Sequence, residues 1–182
     1  MRSRTIAVAP PGAFTLRFLY VVALGFAAFV AWLYFRSSAS LSPEKAQEQF
    51  VGMIGMIVLD VLLVAVIVWA VNRRSVELTA TELSIKAGFY SRTLPRSALR
   101  TESAVVASLL ANRDLAPRWR TNAIRIPGFR AGWFRLVNRE KAFALVTDPS
   151  VVTYLPTTAG YVLLISTTEL LSALENPGDT LS

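Results

Sequence analysis

Residues 50–71, FVGMIGMIVLDVLLVAVIVWAV, form an apolar run broken by one carboxylate, Asp60, at its middle. As a helix rising about 1.5 Å per residue, the run is roughly 33 Å long, enough to cross a hydrocarbon core of about 30 Å. It divides the chain. A second apolar run, Phe18 to Phe35, lies before it without a charge and is bracketed by Arg17 and Arg36. About a hundred residues of alternating, strand-like sequence lie after it.

Composition agrees with that division. The 182 residues are 53% hydrophobic with a mean hydropathy of +0.46, and the excess sits in the two runs, which is the pattern of a membrane protein. The chain has neither cysteine nor histidine, so a disulfide framework, thiolate chemistry and the commonest general base are all missing. Without histidine or a G-x-S-x-G turn a hydrolase triad has nothing to be built from, and no Walker loop or dinucleotide fingerprint occurs. A non-catalytic protein with no metal and no cofactor is expected. The net charge of +7 is explained by membrane orientation and anionic lipid, and no nucleic-acid partner is expected.

Residues 1–15 carry Arg2, Arg4 and a Pro10-Pro11-Gly12 break, and read as a disordered tail. Residues 16–72 read as a transmembrane hairpin with spans over 18–35 and 50–71. A cleavable signal peptide is the rival for the first run. That run is longer than the usual signal core, however, and ends on bulky Trp32, Leu33, Tyr34 and Phe35 where small residues are needed. The connecting loop carries Arg36 and Lys45, whereas Arg2, Arg4, Arg17, Arg73 and Arg74 lie on the outer flanks. By the positive-inside rule both termini face the cytoplasm.

After Arg74 the hydrophobic period changes to two. Val76–Leu78 and Leu83–Ile85 read as a strand hairpin, and Ala87-Gly88 turns the chain into Tyr90–Leu94. One helical turn at 97–100 and a strand at 102–107 follow. Residues 108–131 read as irregular. Strands resume at 133–136, 143–147, 151–155 and 161–165, with Trp133, Phe134, Phe143, Tyr154 and Tyr161 as core aromatics. Ser166 is placed as N-cap of a last helix, with Glu169 completing a capping box ahead of Leu170, Leu171 and Leu174. Asn176-Pro177-Gly178 should stop it and leave 176–182 as a tail. The fold class is α+β: a transmembrane hairpin, then seven or eight antiparallel strands in a curved sheet or open barrel closed by a C-terminal helix.

The segments GFYSRTLPRSALR (88–100), RTNAIRIPGFRAGWFRL (120–136) and VVTYLPTTAGYVLLISTTELLSAL (151–174) resemble a bacterial pleckstrin-homology (PH)-like domain attached to membrane spans. The resemblance covers residues 75–175 and implies a PH-like barrel capped by a helix, without a catalytic site.

Three sets of residues are candidates for function. Asp60 lies where a charge costs about 2.5 to 3.5 kcal/mol, so it should face protein or water or find a partner; it either pairs across copies or is tolerated as a neutral acid bonded to a backbone carbonyl. Gly52 and Gly55 nearby suggest close helix packing. Arg118, Trp119, Arg120, Arg125 and Arg130, with Arg113, either lie against anionic headgroups or are solvated surface charges. Lys86 and Arg92 flank the turn at Gly88, with Arg96 and Arg100 beyond; the PH resemblance implies phosphate binding there, against the plainer reading as exposed strand residues. Together these point to a membrane-anchored module that binds membrane lipid, a protein partner or its own copies. The alternative is a small oligomeric transport or channel subunit using Asp60.

Overall fold

The computed structural model describes residues 3–38 and 41–175; the expected stop at 176–178 and the 176–182 tail lie outside the described residues. The elements run β1 (Arg4–Ile6), α1 (Ala13–Ser38), α2 (Pro43–Asn72), β2 (Arg74–Leu78), β3 (Glu82–Ala87), β4 (Tyr90–Pro95), β5 (Val105–Ala107), β6 (Pro117–Ile126), β7 (Phe129–Leu136), β8 (Lys141–Val146), β9 (Val152–Pro156), β10 (Val162–Ile165) and α3 (Glu169–Glu175). They fall into two compact units. One is Leu16–Trp69; the other joins the segment up to Thr15 to the chain from Ala70 onward.

In the helical unit, α1 and α2 are long and apolar enough to cross a membrane, with mean hydropathies of 2.1 and 2.9. Pro43 suits the first turn of α2, where its missing N–H is not needed, and Glu44 complements the helix dipole. Leu19, Ala23, Ala27, Val30 and Tyr34 on α1, and Gln49, Met53, Ile57, Asp60, Val64 and Ile67 on α2, are among the half-buried or buried positions. Their three- and four-residue spacing is that of a helix–helix seam. Near the connection Gln49 Nε2 donates to Ser37 Oγ, and the Tyr34 and Phe50 rings meet at 5.7 Å. Most of the large apolar side chains of both helices, Phe26, Phe29, Leu59 and Leu62 among them, are exposed.

The other unit is built on two separate sheets that do not close into a barrel. The first is antiparallel in the order β1-β2-β3-β4; the second has the order β5-β9-β10-β8-β7-β6. In the second, β10 pairs antiparallel with β9 and parallel with β8, so the expected all-antiparallel arrangement is corrected to a mixed sheet. Both faces of its central strands are buried. Phe134, Leu136, Ala142, Ala144, Val146, Val152, Val162 and Leu164 form one cluster, covered by Leu109 and Leu115. Phe129, Ala131, Phe143, Leu145, Leu155, Leu163 and Ile165 are buried on the other face. Each such large side chain contributes about 1.5–3 kcal/mol on burial. In α3, Leu170, Ala173 and Leu174 are buried.

Three further expectations are corrected. Within the expected 1–15 tail, the described residues are not a disordered tail: Arg4–Ile6 pairs antiparallel with β2 through Arg4↔Leu78 and Ile6↔Val76. Ala9 N–H then donates to the Ser166 carbonyl at 3.1 Å, and Thr147 Oγ1 donates to the Ala9 carbonyl at 2.7 Å. The Pro-Pro-Gly break ends this strand and does not prevent it. Residues 108–131 are not irregular throughout, since they contain β6, the longest strand. Ser166 is not a helix cap; its Oγ accepts the Thr147 and Asp148 N–H groups and donates to the Asp148 carbonyl. The Glu169 N–H bonds Thr167 Oγ1 instead.

Candidate functional site

The arginines of β6 stand on an edge strand, where charge discourages pairing with another chain. Register shifts between Pro117 and Trp119 and between Arg120 and Asn122 break the simple alternation. Arg120 is opposite Phe134 and Arg125 is opposite Arg130, which sets these three arginines on one face; Trp119 is opposite Arg135, on the other. Pro127 and Gly128 occupy the two-residue turn beside the Arg125–Arg130 pair, and Gly128 takes φ +75°. A Cβ at Gly128 would collide with the buried Thr15 Oγ1, so the turn packs against the chain just ahead of α1's apolar run.

Like charges opposite each other on a sheet repel. Burial, and secondarily the Arg125 charge, push the Arg130 guanidinium below its ordinary pKa. Arg125 Nη1 donates to the Arg118 carbonyl at 3.1 Å, and the Arg118 guanidinium lies 5.4 Å from the centre of the Trp119 ring, which is 64% exposed. Among the described residues none of these arginines has a carboxylate partner. The pattern is a basic strip, with Trp119 on the opposite face of the same edge strand.

Lys86 and Arg92 are not brought together. Lys86 is opposite Ser91 on the outer face of the first sheet and is bound to Glu77 at 3.0 Å; that bond holds the Glu77 carboxyl below its ordinary pKa. Arg92 is opposite Ile85, on the face that bears the buried Leu83 and Ile85. Its guanidinium lies 4.9 Å from the centre of the Trp133 ring, and Lys141 Nζ lies 4.5 Å from the same centre. Phe143 and Tyr161 meet that ring edge-on at 5.2 and 4.9 Å. Arg92, Thr121, Asn122, Trp133, Arg135 and Lys141 line a groove of about 400 Å³. Trp133 is therefore a partly buried centre for cations and not simply a core residue. Arg135 and Lys141 were detectable in principle, because two-residue alternation puts them on the faces of Trp133 and Phe143.

Asp60 lies on the seam, with Val22, Phe26, Met56, Leu59 and Leu63, along a groove of about 300 Å³ between α1 and α2. Its carboxylate has no hydrogen bond or ion pair among the described residues. A Cβ at Gly25, Gly52 or Gly55 would meet nothing within 4 Å, so α1 and α2 of one chain do not pack closely at these glycines. Comparison of the chain with family models, curated proteins and solved structures yields no match.

Proposed function

We propose that this chain is a membrane-anchored, non-catalytic binding module of PH-like type, held at the cytoplasmic face of a bacterial plasma membrane, whose basic strip lies against anionic headgroups. The observation that carries this is the pairing of β1 with β2. These strands flank the two apolar helices in sequence, so the helices are a hairpin inserted into one sheet and both exits of that sheet lead into the membrane. Two short tethers keep the module at the surface at an effective concentration of roughly millimolar.

The Gly128–Thr15 packing supports a membrane-proximal position for Arg125 and Arg130, and the unneutralised arginines supply the attraction, on the order of 1 kcal/mol each near an anionic surface. The antiparallel four-stranded sheet and the buried face of α3 are compatible with the PH-like reading. Self-association or a protein partner would use the same tethered geometry.

The test exploits the cysteine-free sequence. Arg120→Cys in the full chain, on the face of the strip and carrying an environment-sensitive dye, should shift to the blue in vesicles of anionic lipid compared with neutral lipid. Salt should weaken the shift, as should Arg125→Glu with Arg130→Glu. An emission indifferent to lipid charge would sink the headgroup reading. A second reading, an oligomeric transport subunit, is favoured by the unpartnered seam position of Asp60; ion flux into vesicles that Asp60→Leu abolishes would support it.

A further inference from the structure

We propose that the groove floored by Trp133 is a separate binding site for a phosphomonoester, a doubly charged phosphate on a small organic group. Arg92, Arg135 and Lys141 converge on one groove of about 400 Å³ from three strands, β4, β7 and β8. No carboxylate lines it. The adjacent acid, Glu140, is engaged elsewhere, accepting from Asn138 Nδ2 at 2.7 Å and from the Tyr154 hydroxyl at 2.9 Å. Arg92 and Lys141 have no carboxylate partner among the described residues, and Arg135 spends one N–H on the Arg139 carbonyl at 3.1 Å.

Three like charges held together without a counter-ion repel one another, and a dianion relieves that repulsion more fully than a monoanion. Two of the three are guanidinium groups, whose planar forks match phosphate oxygens in pairs. Trp133 holds Arg92 and Lys141 by cation–π contact, which lowers the ordering cost of binding.

The polar wall adds direction. Asn122 Oδ1 accepts the Tyr90 hydroxyl at 2.9 Å, which leaves the Asn122 amide N–H groups as donors. Thr121 Oγ1 donates to the Trp133 carbonyl at 3.2 Å, so its lone pairs are left to accept a hydroxyl of the ligand's organic part. The volume falls within the range of small-molecule sites, about 300–1,000 Å³. Two cations over the Trp133 ring and two rings edge-on against it leave it unfit as a platform for nucleobase stacking. The site is also distinct from the arginines of the headgroup strip. Asn122 is opposite Trp133, on the face of the β6–β7 pair away from Arg120, Arg125 and Arg130.

The experiment uses the full chain. In micelles of uncharged detergent, glycerol 3-phosphate is titrated by calorimetry and by tryptophan fluorescence; in nanodiscs of neutral lipid, phosphatidic acid is added as a phosphomonoester fixed in the bilayer and read by the same fluorescence. Saturable binding of glycerol 3-phosphate assigns a soluble ligand. A saturable response to phosphatidic acid alone assigns a lipid source for the same chemistry. In either arm Arg135→Ala and, separately, Lys141→Gln should weaken binding about tenfold or more, while Arg125→Ala should leave it unchanged. Trp133→Phe should remove most of the fluorescence response and keep the calorimetric one. Using two separate variants guards against one that fails to fold, which near-ultraviolet circular dichroism would reveal. No saturable response in either arm, or binding that folded Arg135→Ala and Lys141→Gln leave intact, overturns the site without touching the headgroup reading.

Discussion

At Asp60 the chemistry of one side chain sets a measurable free energy. Its neighbours along the inter-helix groove are apolar, and no donor among the described residues reaches it. Replacing it by leucine exchanges an unfavourable mid-membrane residue for a favourable one, a gain of about 3–4 kcal/mol on insertion scales. Asp60→Leu should therefore insert more completely in a translocon-based assay; equal insertion of the two sequences would mean that the carboxylate already has a partner. Tyr154 supplies the pH-dependent counterpart. Burial, then the hydrogen bond and charge of Glu140, raise its phenol from 10.0 to about 12. An acid whose folded pKa is raised keeps its contribution to stability below the unfolded pKa and loses it as pH climbs through the folded one. Near-ultraviolet absorbance should show the Tyr154 phenol, with the partly buried Tyr161 phenol, ionising late in the folded protein, and Glu140→Gln should bring the Tyr154 one down. Stability attributable to Tyr154 should decline between about pH 10 and 12, and Tyr154→Phe should remove that part of the alkaline dependence.

Among the elements, β1 is small and consequential. Ile6 is 1% exposed and stands opposite Val76, so its side chain fills core volume that nothing else supplies. Ile6→Ala should destabilise the sheet unit by about 2–4 kcal/mol, measured by denaturant unfolding in micelles; a change within about 0.5 kcal/mol, typical of surface sites, would show that β1 adds nothing to the sheet. That strand escaped sequence reading because three residues are too few to display a period, and its partner lies some seventy residues away across both apolar runs. β6 escaped for another reason. Pro117 opens it, where a strand tolerates proline, and the register shifts hide the alternation behind a row of arginines. The apolar helices and the β2–β3–β4 meander were legible because length and period are local properties. The Trp133 groove was half legible: Arg135 and Lys141 follow from strand parity, whereas Arg92 joins them only through the approach of β4, which no local pattern encodes.

For the molecule as a whole, the β1–β2 ladder constrains how the chain meets a bilayer. Two strands of one sheet occupy one aqueous compartment, so the helices between them must cross an even number of times or not at all; a single crossing would pull Arg4 from Leu78. The proposed side rests on the basic residues. Arg4, Arg17, Arg73 and Arg74 flank the pair of helices, against Arg36 and Lys45 at their connection, which favours a cytoplasmic sheet unit. Single cysteines in the otherwise cysteine-free chain can read this out, because Ser3, Ser42 and Ser97 are all exposed. With a membrane-impermeant maleimide, Ser3→Cys and Ser97→Cys should react together, only when the cytoplasmic side is accessible, and Ser42→Cys only from the opposite side. Labelling of all three from one side would show that the helices do not cross. Opposite labelling of Ser3→Cys and Ser97→Cys would break the sheet pairing on which the anchored-module reading stands, whereas a joint but external location would leave the hairpin intact and reverse only its orientation.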